Sequence, residues 1–251
     1  MGMKQIFLIM AAVLVGQSVV ANEKLIADPI IEKAVRDLLR KPEGELTKVD
    51  FEKFTVFGIG LPITDEGLKD VAKLKKLEEL HLSRTMITDA GLKEVAKLQK
   101  LEGLNLISTQ ITDAGLREVA KLQELTILNL HGTKITDAGL KEVAKLHKLT
   151  VLDLSATRIT DECLKELTKV HGLEQLFLGL TKITDEGPKE VAKLQKLQTL
   201  SLYNTQITDA GLKEVAKLHN LTALDLRITE ITAEGVAELK KALPNCKIKG
   251  P

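Results

Sequence analysis

The string ITDAGLKEVAKL stands verbatim at residues 87–98, 135–146 and 207–218. Around these copies an Ile opens a unit at residues 63, 87, 111, 135, 159, 183, 207 and 231, a spacing of 24 that never slips. Seven complete units fill 63–230, and a truncated eighth runs from 231 to 251. A period of this length marks a solenoid, because one unit is too small to bury its own apolar face and does so only against its neighbours.

Inside a unit the hydrophobic period changes. In LEELHL (77–82) the pattern L-x-x-L-x-L puts Leu80 and Leu82 on one face of a short strand. In DEGLKDVAKL (65–74) Leu68, Val71 and Leu74 fall on one side of a helix, with charges opposite. One strand and one helix per 24 residues forces parallel strands, so stacked units build a curved sheet inside and helices on the outer arc.

The pattern L-x-x-L-x-L-x-x-T-x-I-T-D-x-G-L resembles the leucine-rich repeat, in the helix-bearing form of ribonuclease-inhibitor-like proteins and many bacterial secreted proteins. The resemblance covers residues 46–251 and implies an α/β solenoid with a concave parallel sheet and convex helices. One departure is the residue after the strand, commonly Asn in the family and here Thr, at 85, 109, 133, 157, 181, 205 and 229. A Thr hydroxyl can satisfy backbone groups of the buried turn in the same way.

Both ends read as caps. Residues 22–62 hold a helix that starts at Asp28-Pro29 and stops before Pro42, then a degenerate repeat with Phe54, Phe57 and Ile59 in the L-x-x-L-x-L places. At the other end LPNCKI (243–248) fits the same pattern with Cys246 in the middle Leu place. Caps are needed because an end repeat would otherwise leave its apolar face bare.

Residues 1–21 are of another kind. Lys4, an apolar run from Ile6 to Val15 and small residues at Val19-Val20-Ala21 describe a cleaved signal peptide, giving a mature N-terminus at Asn22 and a periplasmic or extracellular location. The run is too short to span a bilayer comfortably, so no stable membrane insertion is expected after cleavage. Cleavage removes one base and no acid from 36 Lys and Arg against 35 Asp and Glu. The remaining charge balances, and nothing points to a nucleic-acid partner.

Several columns invite chemistry. An Asp stands third in all seven full units (65, 89, 113, 137, 161, 185, 209), immediately before a helix. Capping of helix amides is the expectation, rather than a metal site, which needs converging oxygens. The Gly two places on is expected to allow close approach between helix start and strand; only Cys163 interrupts it. Glu94–Lys97 and its equivalents should pair on a solvated outer face. His147, His171 and His219 share a column near helix ends but do not form a zinc set. Cys163 and Cys246 lie too many strands apart to bridge.

Function should lie where the repeat stops repeating. One concave column is His81, Asn105, Asn129, Asp153, Phe177, Ser201 and Asp225; the next is Ser83, Ile107, His131, Ser155, Gly179, Tyr203 and Arg227. Phe177 and Tyr203 are the only aromatics in the repeats, and Leu180 stands where most units have a small or polar residue. A concave partner site is therefore expected at Phe177, Tyr203, Leu180, Asp153, His131, Arg227 and Asp225, with the two rings forming one patch. His131, Asp153 and Ser155 make a triad on paper, but an open sheet offers no oxyanion hole or dry pocket. No metal-ligand spacing or phosphate loop appears, so no cofactor is expected. The resulting expectation is a non-catalytic exported scaffold for a protein partner. Alternatives are a substrate receptor similar to ubiquitin-ligase repeat proteins, or a carbohydrate- or surface-binding module.

Overall fold

A computed structural model describes residues 24–58 and 60–250, so the signal-peptide reading and the place of Ile59 lie outside the described residues. Nine short strands form one open parallel sheet in strict chain order. They are β1 Val56–Phe57, β2 Glu79–His81, β3 Gly103–Asn105, β4 Ile127–Asn129, β5 Val151–Asp153, β6 Gln175–Phe177, β7 Thr199–Ser201, β8 Ala223–Asp225 and β9 Lys247–Lys249. The register is a constant 24 from β2 onward, with Leu80, Leu104, Leu128, Leu152, Leu176, Leu200 and Leu224 side by side. These leucines are fully buried, and the Leu two places on in each unit is buried with them.

Each unit closes its turn with the expected Thr. Thr85, Thr109, Thr133, Thr157, Thr181 and Thr205 are buried, and each hydroxyl donates to the Leu carbonyl three residues back at 2.5–2.8 Å. The chain then crosses to a short outer helix, typified by α4 Asp89–Val95, α5 Asp113–Val119 and α6 Asp137–Val143 after the N-terminal helices α1 Pro29–Leu39, α2 Lys48–Phe51 and α3 Gly67–Val71. On the outer face Lys97 meets Glu94, Lys121 meets Glu118 and Lys145 meets Glu142 at 2.6–2.7 Å.

The Asp column does something other than expected. The helix cap is the preceding Thr: Thr88, Thr112 and Thr136 accept from the amides of Ala90, Ala114 and Ala138. The Asp carboxylate instead reaches the next unit. Asp113 accepts from the Thr136 amide at 2.9 Å and from its hydroxyl at 2.6 Å, and the same double bond joins Asp65 to Thr88 and every pair up to Asp209 and Thr232. Ala233 stands in the Asp place of the last unit.

The Gly column follows from this clamp. A Cβ on Gly139 would lie 2.5 Å from Asp113 Oδ1 and 2.8 Å from Leu116 Cδ1. The close approach is thus to the previous unit's carboxylate and helix, not to the strand. Where Cys163 replaces Gly, the unit opens on a 3-10 turn, Asp161–Cys163, before α7 Leu164–Leu167. Burial first, and Asp137 second, push the Cys163 thiol far above its ordinary range. Cys163 and Cys246 are both buried and free.

The last helices are α8 Gly187–Val191, α9 Asp209–Val215 and α10 Ala233–Ala242. Beyond α10 the register differs from the expected one. Ile248, not Cys246, pairs with Leu224. The Cys246 amide bonds to the Leu243 carbonyl as the Leu221 amide bonds to Leu218, so Cys246 takes the first Leu place, two residues before Ile248 where Leu221 stands three before Leu224.

At the other end Asp70 departs from the solvated face assigned to its column. It is buried, accepts from the amides of Ala27 and Asp28 at 2.7 Å each, and pairs with Lys73. Burial works to raise its pKa, but Lys73 and the two amides together outweigh it and hold the carboxyl below its ordinary value. A depressed carboxyl stabilises above its unfolded pKa and loses that contribution as pH falls through the folded one. The docking of α1 should therefore hold at neutral pH and loosen below about pH 4. Hydrogen exchange at the Ala27 and Asp28 amides checks this; protection that is flat across acid pH, or an Asp70→Asn variant with the same acid profile, would remove Asp70 as the cause.

Candidate functional site

Strand side chains alternate between core and hollow, so three columns face outward: the two read from the sequence and a third that begins at Glu79. That third column, with Ile127, Val151, Gln175, Thr199 and Lys247, was open to the same period-of-two reading. Ile127 is 46% exposed on the sheet, an apolar side chain with no core role.

The middle column is less free than its variability implies. Asn105 accepts from the Ile107 amide, Asn129 from His131, Asp153 from Ser155 and Asp225 from Arg227, at 2.8–3.2 Å. A short polar side chain closing the amide two residues on is a turn device. Asp153 Oδ1 is engaged with the backbone of Ser155, and no hydrogen bond joins the side chains of His131, Asp153 and Ser155 among the described residues. Nor does any group of three His, Cys, Asp or Glu among them form a metal site.

In β6 and β7, at Phe177 and Ser201, the constraint lifts. Phe177 replaces the turn-closing Asn or Asp and pairs in register with Ser201. It lines a shallow depression of about 280 Å³ with Thr199, Ser201, Asp225, Lys247 and Lys249. Tyr203 is not its direct neighbour. Two residues further along β7's path, it lies beside Gly179, where a Cβ would come within 3.0 Å of the Tyr203 carbonyl oxygen and 3.5 Å of the ring. The two aromatics are therefore offset diagonally by about 7 Å along the strand direction. Arg227 sits with its guanidinium 5.4 Å from the Tyr203 ring centroid, in cation–π range. The same Arg227 makes a two-bond pair with Asp225 at 2.9 and 2.6 Å. That pair, against the carboxylate's own burial, holds Asp225 below its ordinary range.

Leu180 lies on the rim rather than in the hollow. It occupies a left-handed turn at φ 58°, equivalent to Arg84, Ser108, Ala156, Asn204 and Ile228, and stays 43% exposed. The expected residues thus divide into Phe177, Asp153 and Asp225 on the sheet and His131, Leu180, Tyr203 and Arg227 in the turns that follow it.

An open parallel sheet lined by Leu, with a Thr-closed turn and an outer helix every 24 residues, defines a leucine-rich-repeat solenoid. The model of the leucine-rich repeat family matches residues 73–96, 121–144, 145–167, 193–216 and 217–240. This chain is a leucine-rich repeat protein. Internalin C2 of Listeria monocytogenes is 27% identical and similar over 90% of this chain and 95% of its own, with a TM-score of 0.66. A leucine-rich repeat protein of Leptospira interrogans is 29% identical over 72% of this chain (TM-score 0.54), and this chain spans 50% of that one's length. A second Listeria internalin, internalin F, shares the fold at 21% identity, a TM-score of 0.60 and coverage of 90% and 76%. No curated protein sequence matches the chain. Among the described residues no helix is long and apolar enough to cross a membrane.

Proposed function

We propose that this protein is an exported, non-catalytic scaffold that holds a protein partner in the hollow of its sheet around β6 to β9. The observation carrying this reading is the release of Phe177 from the turn-closing role that Asn or Asp fills in four other units. A half-buried aromatic on a rigid sheet, next to a depression and an aromatic–Arg stack, supplies area at low entropic cost. Lys247, Lys249 and Asp225, the last paired with Arg227, supply polar groups to the depression.

The partner is to be captured from the native envelope fraction and its Kd measured against point variants. Phe177→Ala should weaken binding by about 2 kcal/mol or more, roughly thirtyfold, with unfolding midpoint unchanged. Lys97→Ala, on the outer helix face and paired only with Glu94, should cost almost nothing. The reverse ranking would move the docking surface to the helices. Export is tested separately: N-terminal sequencing of fractionated protein should read Asn22 first, and a start at Met1 or Gly2 would end that part of the reading.

A further inference from the structure

We infer that the rim of units three to five, carrying Lys134, Arg158 and Lys182, docks an acidic segment of the same protein partner, an inference that rests on the concave-face reading above. The three cations occupy equivalent places in consecutive units, one residue after the buried turn Thr. Their backbones are stacked: the amides of Lys134, Arg158 and Lys182 donate to Ile111, Ile135 and Ile159, and Thr136–Arg158 and Thr160–Lys182 are bridged in parallel. At about 4.8 Å per step the charges form a track about 10 Å long.

The side chains of these three cations lack partners, as do those of Lys93, Arg117 and Lys213 on the outer helices; what sets the three apart is their place on the rim beside Leu180. Lys97, Lys121, Lys145, Lys169 and Lys193 each pair with an acid three residues back, whereas the rim side chains are exposed and make no hydrogen bond or ion pair with any described residue. The acids closest in sequence, Asp137, Asp161 and Asp185, are committed to the Thr of the following unit. The same column reads Met86 and Gln110 before the track and Gln206 and Glu230 after it, so the positive charge is confined to units three to five.

What lies beside the track names the class of ligand. Lys182 shares its unit with Leu180, two residues back, and Phe177, three before that. Charge complementarity asks for carboxylates along the rim, and the exposed Leu180 and Phe177 ask for apolar side chains next to them. An extended peptide with Asp or Glu beside Leu or Phe supplies both; a polyanionic polysaccharide supplies charge with nothing for Leu180.

The test selects from a phage-displayed library of random 16-residue peptides on the full chain, then measures a recovered peptide and heparin against variants. Recovered peptides should be rich in Asp and Glu next to apolar residues. The triple change Lys134→Glu/Arg158→Glu/Lys182→Glu should weaken them roughly tenfold or more and remove the salt dependence of binding. All three side chains are exposed, so circular dichroism and melting should not change. Recovery of uncharged or basic peptides, no enrichment, or acidic peptides indifferent to the triple change would overturn the inference. Heparin binding lost in the triple variant without acidic peptides would overturn it in favour of a polysaccharide. The Phe177→Ala/Tyr203→Ala variant reports on the hollow separately: if it binds the acidic peptide as the parent does while the triple variant does not, the rim docks alone and the concave-face reading falls.

Discussion

Truncating Leu152 to Ala should lower the unfolding free energy by about 2–5 kcal/mol, near the upper end of that range. Leu152 is fully buried in β5, with Leu128 and Leu176 in register on either side. Its surroundings cannot easily collapse into the space left behind. The flanking backbone is held on both sides by inter-unit bonds, from Thr150 and Val151 to Thr126 and from Glu174 and Gln175 to Thr150. A cavity that stays open adds its own cost to the lost transfer energy. The control is Ile127→Ala on the same sheet, whose side chain faces the hollow and should cost less than about 1 kcal/mol. Urea unfolding of the two variants gives the comparison. Because each unit touches mainly its neighbours, the Leu152 change should also speed hydrogen exchange most in units three to five. Equal costs for the two substitutions would mean that the core does not lie where the register puts it.

The second large effect concerns the clamp between units. Asp113→Ala removes two charge-assisted bonds and leaves the Thr136 amide without its acceptor, which should cost about 2–3 kcal/mol. Asp113→Asn keeps an acceptor for one of the two donors and should lose roughly half as much. The distinction matters because a helix-dipole role would respond to charge alone, and Ala and Asn would then be equivalent. The end clamp adds a pH signature. Thr232, through its hydroxyl and then its amide, holds the Asp209 carboxyl below its ordinary value. That link is complete above the unfolded carboxyl pKa and fades as pH falls through the lowered one. The Asp209–Thr232 joint should therefore loosen in acid, and Asp209→Asn should abolish that pH dependence. If Asp113→Ala unfolds within 0.5 kcal/mol of the parent, the column is not a stabilising clamp.

The architecture was legible because every rule that sets it acts within one period. Leu80 and Leu82 share a face by the alternation of a strand, and Leu68 and Val71 share one by the helical turn. A register that never slips carries those local choices along the whole arc. Thr85 and its equivalents were readable for the same reason, since donor and acceptor are three residues apart.

What the chain's own pattern determined, then, is the solenoid, its buried face and the places where the repeat breaks: Cys163, Phe177 and Tyr203. The tertiary structure decided which atoms meet between units. Asp113 is the first residue of α5, where the sequence offers only its own helix amides, and the stacking of α5 on α6 brings its carboxylate to the Thr of the next unit. The same is true of Asp70, whose column reads as solvated until the N-terminal segment folds over it. In the last unit, Pro244 and a longer helix shift Cys246 by a place that no 24-residue count could supply. The hollow shows the same division. The identity of Phe177 is local, but its offset from Tyr203 and the engagement of Asp153 and Asp225 with their own turns depend on register and backbone direction. The unpaired rim of Lys134, Arg158 and Lys182 could be recognised only once every nearby acid had been placed, because a charge is free or neutralised by its neighbours in space and not by its neighbours in the chain.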